Sequence, residues 1–422
     1  MHPTSEVRSF EEPIPARRAT RAVALSFPLL FGLASIVLGM VSITVNIVLL
    51  PMQVAVLDPE HKETTFAVIL AFGALAAVIT TPVVGALSDR TRLWGKRRPW
   101  IALGALLTLV AFLLLATAHT IPQLAVGMVL SMMAGGMLLA ALTALLPETF
   151  PVEHRALGAS LVGMGPLLGN AIGGILIAQV TPTSIPASYE LLGTLVVGIS
   201  LLFALTLHEE ETPNVQGVPL RLAAFWINPR THPDFVYTWL SRLFIFFAWT
   251  TLSNFILYFL HDVVHYEHVS GQPLSQGTQI YFAISTLAVL LASLLTGHLS
   301  DRWQRRKGFV ITSCALFAVG LLLLAFTSVW AVVPPLAIVI GIGMGGYLSS
   351  DLALATQVLP DEYSQGKDLG LMNTAVYLPM ILSPLVAALV LSTFHSYPIL
   401  FLVLAGAAVL AALAVGRVKT VR

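Results

Sequence analysis

Long apolar segments separated by short polar segments run along almost the whole chain. Each is about 20 residues long, the length that an α-helix needs to cross the hydrocarbon core of a bilayer. None shows the alternation of polar and apolar residues that a membrane barrel strand requires. The pattern therefore predicts an all-α integral membrane protein with twelve transmembrane helices, near residues 24–50, 65–87, 99–118, 122–146, 157–180, 189–207, 236–260, 279–299, 308–328, 331–355, 369–392 and 398–415.

The composition excludes a water-soluble globular protein. Hydrophobic residues make up 57% of the chain and charged residues only 10%, with a mean hydropathy of +0.86, so too little polar surface is available to cover a soluble fold. The first apolar segment is longer than the core of a signal peptide, and no small-residue cleavage site ends it, so we interpret it as the first helix. The single cysteine, Cys314, excludes an intramolecular disulfide.

The distribution of basic residues predicts the orientation. With the N-terminus inside, the even-numbered loops, the inner ends of the adjoining spans and the two tails contain every Lys and Arg except Lys62, as the positive-inside rule requires. We expect a multi-pass protein of the cell membrane with both termini in the cytoplasm. The largest basic cluster then anchors the second loop at the membrane and does not bind nucleic acid; it consists of Arg90, Arg92, Lys96, Arg97 and Arg98.

Two motifs recur at a spacing of about half the chain. The hexapeptide GALSDR begins at Gly85 and GHLSDR begins at Gly297, 212 residues later. The segment around Glu148 has a similar counterpart around Asp361. Such repeats are typical of transporters built from two related halves. We predict an N-terminal six-helix half at 1–207, a cytoplasmic linker at 208–234 and a C-terminal six-helix half at 235–422.

These motifs carry a resemblance to a known family. Twelve spans in two halves, with G-x-x-S-D-R and a basic run in both corresponding loops, resemble the major facilitator superfamily. The loop SDRTRLWGKRRPW is similar to that of the glycoside-pentoside-hexuronide cation symporters and the sucrose/proton symporters. The resemblance implies that the motif is a conformational latch that stabilises the outward-open state, formed here by Gly85, Asp89, Arg90, Gly297, Asp301 and Arg302. The alternative is that these residues only anchor the loops.

The resemblance also implies where a solute binds, because helices 1, 4, 7 and 10 line the central cavity in that superfamily. Polar and aromatic side chains on helices 1, 7, 10 and 11 are therefore the candidates for contact with a solute. They are Asn46, Gln53, Trp249, Asn254, Tyr258, Tyr347, Asn373 and Tyr377. Packing between helices is the alternative for each of them, and Trp249 in particular fits either reading.

One acidic residue, Asp351, falls clearly inside a predicted span. An intramembrane carboxylate is costly to bury, so it is a candidate for carrying a proton, and Tyr347, one helical turn away, could donate a hydrogen bond to it. Glu148 is the second candidate, in the position of the helix 4 acid of the sucrose carriers. Helices 1 and 2 lack the acids of the sodium-coupled melibiose-type carriers, which argues against a sodium site. The alternative for Asp351 is a structural partner of the basic loops.

No motif for an enzyme, a nucleotide or a bound cofactor is present. His261, His265 and His268 have the spacing of metal ligands on one helical face, but we interpret them as a solvated outer loop and predict no metal site. The glycines Gly165 and Gly169, with Gly173, predict close packing of helix 5 on a neighbour.

The sequence thus predicts a secondary active transporter and not an enzyme. Its expected partners are a proton, the lipid bilayer and a small-molecule solute, with proton-coupled symport of a sugar or glycoside by alternating access as the leading interpretation. An exporter of amphipathic drugs or a lipid carrier is the alternative within this class. A membrane sensor that moves nothing is the alternative from another class.

Overall fold

Helices make up nearly all of the described chain. The computed structural model describes residues 26–91, 94–149, 155–180, 184–207, 231–303, 305–358 and 365–419, and no strand occurs in these ranges. Twelve long helices confirm the predicted fold class. They are α1 (26–57), α2 (Lys62–Arg90), α3 (Arg98–Ala116), α4 (Ile121–Thr149), α5 (Arg155–Val180), α6 (Ile185–Thr206), α7 (Pro233–Asp262), α8 (Leu274–Trp303), α9 (Arg306–Ala325), α10 (Val333–Gln357), α11 (Gln365–Phe394) and α12 (Tyr397–Gly416).

The helices are suited to a membrane in both length and surface. In the described residues, eleven of the twelve contain an apolar window long enough to cross a bilayer, and the described part of α5 contributes the apolar stretch Leu168–Ile177. Large apolar side chains such as Leu294, Leu295 and Leu389 are exposed on the outside of the bundle. A surface of this kind is stable in lipid and not in water, so the chain is a multi-pass membrane protein.

The first helix changes its winding along its length. It is α-helical over Ser26–Gly39, π-helical over Met40–Leu49 and α-helical again over Leu50–Leu57. Pro51 lies just after the π-helical stretch. A proline has no N–H group, and its ring crowds the carbonyl four residues earlier, so the wider turns relieve the clash. The π-helical stretch contains Asn46, one of the candidate solute contacts.

The packing of helices repeats between the two halves. In the N-terminal half α1 packs on α5, α2 on α4, and α3 on both α4 and α6. In the C-terminal half α7 packs on α11, α8 on α10, and α9 on both α10 and α12. The halves meet where α2 packs on α11 and where α5 packs on α8. Most of the predicted linker, as far as residue 230, lies outside the described residues.

Glycines let α5 lie directly on α1; the sequence predicts the close packing, and the structure identifies the neighbour. A Cβ atom at Gly169 would overlap the backbone carbonyl oxygen of Ile36, and one at Gly165 would overlap Ser35. A Cβ atom at Gly173 would lie 2.7 Å from the hydroxyl oxygen of Thr44. Close approach of the two backbones is therefore possible only with glycine at these positions.

Candidate functional site

A buried ion pair joins α7 to α10 inside the C-terminal half. The guanidinium Nε of Arg242 donates to Oδ2 of Asp351 at 2.6 Å. The hydroxyl of Tyr347 donates to the other carboxylate oxygen, Oδ1, at 3.0 Å, which is the contact that the i, i+4 spacing predicts. All three residues are buried. Asp351 therefore has a charged partner from one helix and a neutral partner from its own.

This arrangement makes the local packing depend on one proton. Burying an ionised carboxylate is costly unless a partner compensates the charge, and Arg242 supplies that compensation. A proton on Asp351 would remove its negative charge and leave the guanidinium of Arg242 to find other acceptors. The ring of Phe246, on α7, packs edge-on against Tyr347, with centroids 6.4 Å apart. The ion pair and this ring contact therefore both lie between α7 and α10.

Arg242 belongs to this site, although the sequence analysis does not name it as a candidate. The charge distribution groups it with the inner anchoring cations because it lies near the inner end of the seventh span, whereas the structure buries its side chain inside α7, where it is only 8% exposed. Its place nine residues into an apolar helix, in a chain with one acid clearly within a predicted span, is the signal that could have identified it.

A second polar cluster joins the two halves at one end of the bundle. We call this the outer end, after the predicted orientation. Lys62 Nζ, at the start of α2, lies 2.5 Å from Oδ1 of Asp262 at the end of α7. The hydroxyl oxygen of Tyr397, at the start of α12, lies between two carboxylates, 2.8 Å from Asp262 Oδ2 and 3.2 Å from Glu63 Oε1, and its one proton serves both. His261 Nδ1 lies 2.6 Å from Asp262 Oδ1. Lys62, the only cation predicted on this side, is thus paired.

Aromatic and backbone contacts also join the two halves, deeper in the bundle than the charged cluster. The hydroxyl of Tyr258, on α7, donates to the backbone carbonyl of Pro51, on α1, at 3.0 Å. The ring of Phe66, on α2, packs edge-on against both Tyr258 and Phe255, with centroids 5.6 Å apart in each pair. A Cβ atom at Gly174, on α5, would overlap the side-chain amide of Gln279, on α8. The two halves are therefore in contact at this end of the bundle.

The motif glycines at the inner end have more free space around them than the residues that pack together at the outer end. Among the described residues, a Cβ atom at Gly85 would meet nothing within 4 Å, and one at Gly297 would meet only Ser349 Cβ at 3.8 Å. Arg90 and Arg302 are exposed. Arg97 donates to the hydroxyl of Ser88 within the motif. The side chains of Asp89 and Asp301, which complete the predicted latch, lie outside the described residues.

Several of the predicted solute contacts have partners inside the protein. The amide of Gln53 donates to the carbonyl of Leu115 at 2.7 Å and accepts from the hydroxyl of Tyr189 at 3.0 Å, which ties α1 to α3 and α6. Tyr258 and Tyr347 use their hydroxyls as described above. The half-buried ring of Trp249 lies 6.3 Å from that of Phe317 on α9. In this conformation these four side chains serve packing between helices.

The remaining candidate residues differ in their exposure and in their hydrogen-bond partners. Asn46 donates to Met132 Sδ at 3.8 Å, while its buried oxygen Oδ1 has no hydrogen-bond partner among the described residues. Asn254 is buried on α7, one turn before Tyr258. Tyr377 is exposed on α11. The side chains of Asn373 and Glu148 lie outside the described residues. Among the described residues, Asn46 therefore has a buried oxygen with unused hydrogen-bonding capacity.

The outer histidines make hydrogen bonds within their own loop. His265 Nδ1 lies 3.1 Å from the carbonyl oxygen of His261, whose own ring faces Asp262. Within the described ranges, no three side chains of ligand type lie close enough together to hold a metal ion.

Comparison with known proteins identifies several relatives. The family model for the Major Facilitator Superfamily matches residues 31–285 and 272–421. The class H tetracycline resistance protein of Pasteurella multocida is 24% identical over 353 residues, which cover 79% of this chain and 81% of that protein. The class C tetracycline resistance protein of Escherichia coli is 26% identical over 341 residues, which cover 78% and 81%.

Two solved structures share the architecture. A bacterial homologue of the human lysosomal transporter Spinster, in an inward-facing and occupied conformation, superposes with a TM-score of 0.68 at 13% identity over 95% of each chain. A mutant of the nucleoside transporter NupG superposes with a TM-score of 0.73 at 14% identity over 93% of this chain and 99% of that one. At these identities the likeness concerns the fold alone.

Proposed function

Because this chain belongs to the Major Facilitator Superfamily, we propose that it is a secondary transporter of the cell membrane that exchanges protons for an amphipathic organic solute. Asp351 carries the proton, and Arg242 is the cation that competes with that proton for the carboxylate. The observation that carries this proposal is the buried ion pair between the two residues, at 2.6 Å.

The ion pair supplies a reason for coupling. While Asp351 is ionised, its attraction to Arg242 holds α7 against α10 at this point. When a proton binds, that attraction is lost, and the balance between the two orientations of the halves changes. A ligand shifts a conformational equilibrium only through a difference in affinity between two states. In this proposal the difference is that Asp351 pairs with Arg242 in one orientation of the halves and binds the proton in the other, since ion pairing and protonation of the same carboxylate exclude each other.

The solute class follows from the polar groups that remain free. Recognition of a sugar needs several hydrogen-bonding side chains, yet Gln53, Tyr258 and Tyr347 already have protein partners, and Asp351 is engaged by Arg242. An amphipathic molecule with a large apolar face is held partly by apolar contacts and needs fewer such hydrogen bonds. The two tetracycline resistance relatives, each aligned over about four fifths of this chain, support the same solute class and an outward direction of transport.

Proton-coupled symport of a sugar or glycoside is the second candidate. The loop SDRTRLWGKRRPW and its resemblance to the sucrose/proton symporters favour it. The unpartnered oxygen of Asn46 and the buried Asn254 are the polar groups that a sugar would use.

The two ends of the bundle fit one stage of alternating access. The halves are in contact at the outer end, whereas the motif glycines Gly85 and Gly297 have free space around them among the described residues. We propose that the inner loops form the latch only when the outer end opens, with Asp89, Arg90, Asp301 and Arg302 supplying the polar contacts. Both termini then lie in the cytoplasm, as the distribution of basic residues predicts.

Transport assays in reconstituted vesicles separate these possibilities. The purified protein is placed in vesicles with an imposed pH gradient, and movement of tetracycline and of labelled sucrose is followed in parallel. Tetracycline movement against the proton gradient, with no sucrose movement, supports exchange. Sucrose accumulation with the proton gradient would instead establish the second candidate. If neither probe moves, and neither changes the vesicle pH, the proposed solute classes are wrong.

A further inference from the structure

A cavity of about 520 Å³ opens at the inner end of the C-terminal half, apart from the ion pair and the outer cluster. It lies where α7 and α9 begin and where α12 ends. We call it the inner cavity; it is lined by Pro233, Asp234, Tyr237, Lys307, Gly416, Arg417, Val418 and Lys419.

The chain that follows α12 is held firmly against this cavity. Val418 is fully buried in an apolar cluster with Phe235 and Met372. Lys307 Nζ donates to the carbonyl oxygen of Val418 at 2.6 Å. The backbone N–H of Lys419 donates to Asp234 Oδ2 at 3.0 Å. These contacts fix Arg417 and Lys419, on either side of Val418, at the wall of the cavity.

The charge of the inner cavity favours an anion. Three basic side chains, Lys307, Arg417 and Lys419, line it together with one carboxylate, Asp234, which already accepts a backbone hydrogen bond. The first turn of α9, which contains Lys307, adds the positive end of a helix dipole. Arg417 and Lys419 are exposed at the opening, so their charged groups are accessible to a ligand.

The surroundings indicate that this anion has acyl chains. Leu413 lies one turn before Arg417 on α12, and Leu410 lies one turn before Leu413. Residues three and four apart share a face of a helix, and both leucines are exposed on the lipid side of the bundle. An apolar track thus leads from the membrane to a basic cavity at the membrane surface. Basic pockets between helices on the cytoplasmic side are suited to anionic lipid headgroups.

We propose that the inner cavity binds the phosphate headgroup of an anionic phospholipid from the inner leaflet, with Arg417 and Lys419 as its charged contacts and the acyl chains along Leu413 and Leu410. The site lies on α7, α9 and α12 and does not depend on which solute the transporter carries. Its occupancy joins the start of α7, the helix that contains Arg242, to the tail after α12.

Lipid binding can be measured on the full chain in neutral detergent. Phosphatidylglycerol is titrated into the micelles, and the thermal unfolding temperature is recorded at each mole fraction; phosphatidylcholine and inorganic phosphate are titrated in parallel. We expect saturable stabilisation by phosphatidylglycerol alone. Arg417→Gln and Lys419→Gln should each raise the half-saturating mole fraction about fivefold, as expected for loss of one lipid-facing cation. Both residues are exposed, so the variants should fold.

A matched control separates the cavity from general surface charge. Arg305 is an exposed cation at the same end of the molecule that does not line the cavity, so Arg305→Gln should keep the half-saturation of the parent protein. Equal half-saturation in the parent and in the double variant Arg417→Gln/Lys419→Gln would overturn the proposed site. Equal stabilisation by inorganic phosphate and by phosphatidylglycerol would overturn the lipid as the ligand, because the acyl chains would then contribute nothing.

Discussion

Arg242 and Asp351 lie 109 positions apart in the chain, and their side chains meet at 2.6 Å in the interior of the C-terminal half. The side chains are 8% and 3% exposed, so each charge depends on the other for compensation. Separating the two buried charges costs free energy. Protonation of the carboxylate removes the attraction between them.

The first prediction concerns the stability of this ion pair. Arg242→Gln and Asp351→Asn should each destabilise the protein by about 3–5 kcal/mol, because each leaves one buried charge without its partner. The double variant Arg242→Gln/Asp351→Asn should recover most of that loss, since no net charge is left buried. Thermal unfolding of the four proteins in detergent measures this coupling. A double variant no more stable than the weaker single variant would show that the two charges do not compensate each other.

A second prediction concerns closure of the outer end. Asp262→Asn removes the charge that joins Lys62 and Tyr397. The pair is partly exposed and contributes about 1 kcal/mol, so the fraction of molecules open to the outside should rise about fivefold. The reporter is a cysteine in place of Asn254, in a background with Cys314→Ser, labelled with a membrane-impermeant maleimide from the outer side.

The control for this experiment is Glu60→Gln. Glu60 is exposed on the same side of the molecule, and its replacement also removes one negative charge. Its labelling rate should equal that of the parent protein. Unchanged labelling in Asp262→Asn would mean that the outer cluster does not hold the halves together.

A third prediction concerns the contact between α1 and α5. Gly169→Ala places a methyl group where it overlaps the carbonyl oxygen of Ile36, so the backbones must separate, at a cost of about 1–3 kcal/mol. Gly198→Ala, on α6, is the matched control because a Cβ atom there meets nothing within 4 Å. Unfolding temperatures of the two variants provide the test. Equal stability would show that α1 and α5 can move apart freely.

Much of the fold follows from the sequence because the bilayer imposes strict requirements. Apolar runs of spanning length specify the twelve helices, and the glycines of α5 predict that it packs closely on a neighbour without identifying that neighbour as α1. Asp351 was identified because an acid within a span is costly. Its contact with Tyr347 was predictable because both residues lie on one helix, where a spacing of four brings them together.

Contacts between distant helices were not predictable from one sequence. Arg242 has the apolar neighbours of a membrane helix, but its partner lies on another helix. The partner of Lys62 is Asp262, 200 residues away in the other half. Gln53 was interpreted as a solute contact because it belongs to a polar stripe on helix 1, whereas its partners Leu115 and Tyr189 are on α3 and α6. Helical periodicity specifies which residues share a face, but not what that face meets.

Coupling of protons to the solute is tested most directly by solute-driven proton movement in vesicles. A tetracycline gradient is imposed across vesicles that contain the parent protein, Asp351→Asn, the double variant Arg242→Gln/Asp351→Asn or the control Glu60→Gln. A trapped pH dye and labelled tetracycline are followed together. The double variant keeps the test valid if Asp351→Asn alone does not fold.

We predict that the parent protein and Glu60→Gln move protons opposite to tetracycline. Variants without the Asp351 carboxylate should still exchange tetracycline across the membrane but move no protons, because the group that binds the proton is gone. Normal solute-driven proton movement in folded protein that lacks the Asp351 carboxylate would contradict the central role of the ion pair, and Glu148 would become the carboxylate to test next.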